Sequence, residues 1–209
     1  MIAKSHYISD GDTEQIQLYN IQSALDAGLN CIQFRFKNAE HRQRCHTAEK
    51  VKELCEPYHA TLIINDHIDI ALALDAHGVH LGLSDTAIAV ARKHLPDKII
   101  GGTANTLEHV IQRNREGCDY IGLGPYRFTA TKRELDPLLG IANYKILLSE
   151  CARMNLTTPI IAIGGIQLND IDELLQCGVH GMAFSTLINN SNDKKRTVLT
   201  LNNILHGNI

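Results

Sequence analysis

From one end to the other, the chain alternates between short unbroken apolar runs and longer stretches in which apolar residues recur every three or four positions. Runs of four to six residues rich in Ile and Val fit strands buried on both faces, and the helical spacing marks amphipathic helices that cover them. Strands are expected at 6–9, 31–36, 61–65, 78–81, 98–102, 120–124, 159–163 and 181–184. Helical patterns follow, as in "AEHRQRCHTAEKVKELCEPY" and "IQLNDIDELLQCG". Small-residue turns precede several strands ("DAGLNC", "DAHGVH", "REGCDY", "QCGVHG"), and glycine there suits a helix C-terminus. Eight such units predict an α/β fold, a single-domain (β/α)8 TIM barrel over residues 1–209. An open doubly wound sheet uses the same alternation, but no Pro/Gly/Ser-rich linker or low-complexity tract interrupts the eight units. The polar stretch "NNSNDKKR" at 189–196 reads as a loop before the last helix.

Composition narrows the function classes. The 209 residues carry a net charge of −3 and no tryptophan, with only 5% aromatic residues. That balance offers no basic surface for nucleic acid or an anionic membrane, and no base-stacking platform. No apolar run reaches the length of a membrane span, and "MIAKSHYISD" lacks the apolar core of a signal peptide. Six cysteines (31, 45, 55, 118, 151 and 177) form no CxxC pair, which suits a reducing, cytoplasmic compartment. The eleven histidines show no HExxH pattern and read mostly as surface residues.

In a barrel of this kind the chemistry sits at the C-terminal ends of the strands. The second strand, "IQFRFK", alternates so that Gln33, Arg35 and Lys37 share one side, with Phe34 and Phe36 on the other. Arg offers a bidentate fork and Lys a point charge, as an anion site requires. The third strand ends in Asn65-Asp66 and the fourth in Ser84-Asp85. Each aspartate alone fits a helix N-cap. Together with the cations they fit a Mg²⁺ ion carrying a polyphosphate, because magnesium takes oxygen ligands, often one or two carboxylates plus phosphates. Thr103 follows the fifth strand, and the long polar loop after the sixth, "GPYRFTATKRELDP", carries Thr129, Thr131 and Lys132. The seventh strand ends in "AIGGI" with Gly165, and the eighth in Ser185 and Thr186, where barrels often bind a phosphate. Two anion sites emerge, one for a metal-bound diphosphate and one for a single phosphate. A reaction joining two phosphorylated small molecules, with diphosphate leaving, would use both.

The motifs "IQFRFK", "LIINDHIDIALALDAHGVHLGLSD", "DYIGLGPYRFTATK", "TPIIAIGGI" and "GMAFSTLI" resemble, in order and over residues 6–188, the thiamine-phosphate synthase family. The resemblance implies a (β/α)8 transferase. It would join 4-amino-2-methyl-5-hydroxymethylpyrimidine diphosphate to 4-methyl-5-(2-hydroxyethyl)thiazole phosphate, or its carboxylated form, giving thiamine monophosphate and diphosphate. It further implies Mg²⁺ on Asp66 and Asp85, and diphosphate on Arg35, Lys37, Asn65, Lys132 and Thr103. Gln33 would face the pyrimidine. Thr129, Thr131, Gly165 and the segment Ser185, Thr186, Leu187 would hold the thiazole phosphate. The implied mechanism is dissociative: diphosphate departs first, and the thiazole nitrogen captures the resulting cation. The strand-6 loop is a candidate lid over that cation. A homo-oligomer is left open.

Three departures stand out. Leu83-Ser84 occupy the place where many members have Gln-Glu, Thr103 replaces a common Ser, and Arg127 stands where a small or apolar residue is usual. Two rival readings remain. A thiazole tautomerase-like isomerase would carry His where Pro125 stands and would not need both aspartates. A non-catalytic paralogue binding thiamine or thiazole phosphates would not need to keep a leaving-group site.

Overall fold

Eight parallel strands close into a barrel in the computed structural model, which describes residues 1–128 and 138–207. The strands are β1 (Ser5–Ile8), β2 (Cys31–Phe34), β3 (Thr61–Asn65), β4 (Gly78–Leu81), β5 (Ile99–Ala104), β6 (Tyr120–Leu123), β7 (Ile160–Ile163) and β8 (Gly181–Phe184). They pair in chain order, and β8 returns to β1 through Tyr7 opposite Phe184. The main helices are α1 (Glu14–Asp26), α2 (His41–Cys55), α3 (Ile68–Ala73), α4 (Ile88–His94), α5 (Leu107–Arg115), α6 (Gly140–Arg153), α7 (Ile171–Gln176), α8 (Thr186–Asn189) and α9 (Lys194–His206). This is the expected (β/α)8 barrel. Among the described residues no helix is long and apolar enough to cross a membrane, and all six cysteines are free thiols.

Strand ends differ from the sequence reading where a side chain competes for the ladder. β2 stops at Phe34 because the next amide, that of Arg35, donates to Ser9 Oγ at 2.8 Å instead of to a neighbouring strand. β5 runs on to Ala104, which still pairs with Leu123 of β6. The expected loop at 189–196 is shorter than read. It begins with the last residue of α8 and ends where Asp193 caps α9, accepting from Arg196 N–H at 3.0 Å.

Alternation along the strands divides two cores. Tyr7, Ile32, Phe34, Ile64, Val79 and Leu81 point outward into a large apolar layer beneath the helices. Inside the bore, Tyr120, Ile161 and Ala183 form a smaller cluster with Ile8, Ile99 and Ile163. Tyr120 fills so much of the bore that a Cβ on Gly101 would lie 2.2 Å from its Cζ, so β5 must be bare there. Above this plug the inward positions turn polar: Gln33, Asn65, His80 and Thr103.

Candidate active site

Those four side chains floor a cavity of about 250 Å³ at the C-terminal ends of the strands. Every strand end contributes to its wall, from Ser9 and Asp10 after β1 to Ser185 and Thr186 after β8. The expected residues Gln33, Arg35, Lys37, Asn65, Asp66, Asp85, Thr103, Gly165, Ser185 and Thr186 all line it. Leu187 does not, because its side chain packs against the apolar layer. Thr129, Thr131 and Lys132 lie outside the described residues.

The cationic side is built from β2. Phe34 and Phe36 are buried in the outer core, so alternation sends Arg35 and Lys37 to the cavity although the ladder has ended. The Arg35 peptide is held on both sides. Its N–H meets Ser9 Oγ, and its carbonyl accepts from the buried Gln17 Nε2 at 3.0 Å. Burial draws the Arg35 pKa down, against the opposing charges of Asp66 and Asp10, but a guanidinium remains a cation at any working pH. Beside it, Gln33 Nε2 donates to Asn65 Oδ1 at 2.7 Å. That bond occupies the acceptor end of Asn65 and leaves its NH₂ end as the donor for a ligand.

The acidic side comes from β3 and β4. Asp66 has φ +66°, the left-handed region that Asp tolerates better than most residues. Its amide donates to His80 O at 2.8 Å, which ties the turn to β4. Neither aspartate caps a helix: α3 starts after His67, and α4 starts after Ala87. Asp85 instead closes its own loop, with Oδ2 accepting from Gly82 N–H at 2.6 Å. Burial first, then a hydrogen bond and charge repulsion from Asp85, push Asp66 up to about 6. Lys37, whose Nζ lies 3.6 Å from Asp66 Oδ2, and Arg35 pull it the other way. At neutral pH the charged Asp66 carboxylate is therefore held in unfavourable surroundings in the free protein, and a divalent cation would relieve it. Among the described residues no group of three or more His, Cys, Asp or Glu gathers as a closed metal cage. Magnesium fits this donor set because it completes its shell with water and phosphate oxygens.

The floor holds residues that the strand-tip reading passed over. His80 bridges Tyr120 Oη and Thr103 Oγ1, each at 3.0 Å, and burial drops its pKa to about 3, so it is a neutral imidazole. It therefore orients Thr103 as an uncharged partner. Its signal in the sequence was a polar residue at an inward position of the apolar run "GVHL". Asn105, just past β5, donates to Gly124 O and so fixes the turn at Gly124–Pro125. On the opposite wall Ser185 Oγ is buried with no hydrogen-bond partner among the described residues. A buried hydroxyl without a protein partner is the exception in folded proteins, and its residue borders the cavity.

Comparison with known proteins gives a consistent result. The family described as thiamine monophosphate synthase matches residues 6–188. A thiamine-phosphate synthase of Flavobacterium johnsoniae is 47% identical over 210 residues, covering 100% of this chain and 99% of that protein. Its counterpart in Flavobacterium psychrophilum is 47% identical over 203 residues, covering 97% of this chain and 98% of that protein. A solved thiamine phosphate pyrophosphorylase from Pyrococcus furiosus superposes with a TM-score of 0.83 at 29% identity, covering 98% of this chain and 96% of that one.

Proposed function

The chain belongs to the thiamine monophosphate synthase family, whose members are transferases, and we propose that it joins 4-amino-2-methyl-5-hydroxymethylpyrimidine diphosphate to 4-methyl-5-(2-hydroxyethyl)thiazole phosphate, or to its carboxylated form. The products are thiamine monophosphate and diphosphate. The observation that carries this reading is one cavity with Arg35, Lys37, Asp66 and Asp85 on one side and Gly165 and Ser185 on the other. A single wall carries the elements for a diphosphate, and the facing wall those for a phosphate monoester.

The residues assign themselves by chemistry. Arg35 and Lys37, joined by Lys132, stabilise negative charge growing on the departing diphosphate. Asp66 and Asp85 would hold Mg²⁺, which neutralises the diphosphate and makes it a better leaving group. The NH₂ end of Asn65 and the Thr103 hydroxyl donate to the same oxygens without adding charge, and Gln33 faces the pyrimidine. As the carbon–oxygen bond breaks, its electron pair leaves with diphosphate and a pyrimidine-methyl cation remains. The thiazole nitrogen supplies the pair for the new carbon–nitrogen bond, so no side chain acts as nucleophile. Thr129, Thr131, Gly165, Ser185, Thr186 and the backbone at Leu187 hold the thiazole phosphate so that the nitrogen faces the cation. The apolar walls, Ile8, Ile163 and Ala183 among them, exclude the water that would otherwise capture it. Pro125 lines the cavity where an isomerase acting on thiazole would need an acid or base, and both carboxylates are kept. These features support synthesis over tautomerisation.

Substitution tests the site. Asp66→Ala and Lys132→Ala should each lower turnover by about 10²-fold or more while circular dichroism and melting show a folded chain. Wild-type turnover in both variants would refute the assignment. Tight binding of thiazole phosphate without any turnover of the wild type would point to a silent binder instead.

A further inference from the structure

The chain leaving β6 does not turn straight away from the barrel. Tyr126 N–H donates to Ile163 O at 2.8 Å and Arg127 N–H to Gly164 O at 2.9 Å, so the segment runs beside the tip of β7. The Arg127 guanidinium then holds three groups. Nη1 and Nη2 form a fork on the Asp170 carboxylate, at 2.5 and 2.6 Å. Nη1 also donates to Gly165 O at 3.0 Å. The guanidinium lies over the Tyr126 ring, 4.8 Å from its centroid. Asp170 is itself fixed, being buried and accepting from Gln167 N–H at 2.7 Å in a reciprocal cap before α7.

This arrangement fixes the direction of the Gly164–Gly165 turn. Both glycine carbonyls are bound to Arg127, one by its amide and one by its guanidinium. In a trans peptide the carbonyl and the next N–H point in opposite directions. The amides of Gly165 and Ile166 are therefore turned away from Arg127. Gly164, Gly165 and Ile166 line the cavity, whereas Arg127 does not. The two glycines have φ +98° and +67°, and successive amides brought to one side of such a turn form an anion-binding concavity. Glycine is required at 165 for space as well, since a Cβ there would lie 2.9 Å from Arg127 Cβ. Ser185 lines the same cavity.

We propose that Arg127, locked by Asp170, is a positioning residue that orients the Gly164–Gly165 turn so that the amides of Gly165 and Ile166 receive the single phosphate of the thiazole substrate. Arg127 touches no substrate and acts through two carbonyls. Only a guanidinium can do this, because three acceptor atoms, both Asp170 carboxylate oxygens and Gly165 O, need its fixed fork of donors. The proposal rests on the synthase reading and gives a role to a residue that this reading leaves without one.

The test is a comparison of Arg127→Met, Arg127→Lys and Asp170→Asn with the wild type. Each variant should raise KM for thiazole phosphate by about 10–100-fold, the loss expected when hydrogen bonds to a charged group are misaligned. KM for the pyrimidine diphosphate should stay within about twofold, because Arg35 and Lys37 are untouched. Calorimetric titration with thiazole phosphate alone should show the same loss without turnover, and the unphosphorylated thiazole alcohol should bind equally to variant and wild type. A merely structural role would raise both KM values together or lower kcat with KM unchanged, and either result overturns the proposal, as does wild-type behaviour of all three variants. If Arg127→Met fails to fold, the isosteric Asp170→Asn decides. A wild type that binds thiazole phosphate and makes thiamine phosphate, with variants unaltered, refutes this inference alone. A wild type that does neither refutes the synthase reading with it.

Discussion

Asp66 sits in a left-handed turn with a second carboxyl against it, and replacing it by asparagine should stabilise the free protein at neutral pH while abolishing its activity. The size follows from the titration. The carboxyl rises from an ordinary 3.8 to about 6 on folding, so the folded state binds the proton more tightly than the unfolded one. Below the unfolded value both states are protonated and nothing is lost. As pH rises from there through about 6, the folded state progressively loses stability, and above it the loss is complete. At about 1.4 kcal/mol for each tenfold difference in proton affinity, the full loss is about 3 kcal/mol. Solvent reaches 19% of the side chain, so about 1–3 kcal/mol is the expected range. For a chain of this length that is about 2–12 °C in melting temperature. Asparagine also tolerates positive φ, so any backbone gain is the same at every pH and drops out of the pH dependence. The assay is thermal melting of wild type and Asp66→Asn in a metal chelator across pH 4 to 7.5. The variant should melt higher at pH 7.5, and the advantage should shrink toward pH 4. Adding Mg²⁺ with diphosphate should stabilise the wild type and leave the variant unmoved. A gap that does not change with pH, or a variant less stable at pH 7.5, would refute the reasoning.

Two further expectations concern the barrel's interior. Gly101→Ala places a methyl 2.2 Å from Tyr120 Cζ in a closed bore and should cost about 1–3 kcal/mol or more, read as a lower urea midpoint. A midpoint equal to wild type would show that the bore can relax. Thr103→Ser should keep near-normal turnover, whereas Thr103→Val should lose about 10-fold or more, since the hydroxyl is gone and His80 Nε2 loses its partner. Steady-state kinetics showing equal effects for both substitutions would mean that the hydroxyl has no part in the reaction.

Particular residues show why some of this was readable in the sequence and some was not. The alternation of "IQFRFK" placed Arg35 and Lys37 correctly although β2 ends at Phe34, because Phe34 and Phe36 are anchored in the outer core whatever the ladder does. The barrel itself followed from eight repeats of one pattern. Asp66 and Asp85 could equally have been helix caps by sequence, and only the start points of α3 and α4 remove that alternative. His80 was hidden because a polar residue inside an apolar strand looks like any core histidine until its partners Tyr120 and Thr103 are known. The Arg127–Asp170 pair joins residues 43 positions apart, a separation that no local period can register. Leu187 was grouped with its polar neighbours at the β8 tip, but helical geometry in α8 turns its side chain back to the apolar layer.

The central claim is that one cavity holds both substrates and joins them as diphosphate departs. The most direct measurement is product stoichiometry with purified protein, both substrates and Mg²⁺. The account predicts thiamine monophosphate and diphosphate in a one-to-one ratio, with neither formed when either substrate is left out or the metal is chelated. Diphosphate release without thiamine phosphate, or no product at saturating substrates and Mg²⁺, would contradict it.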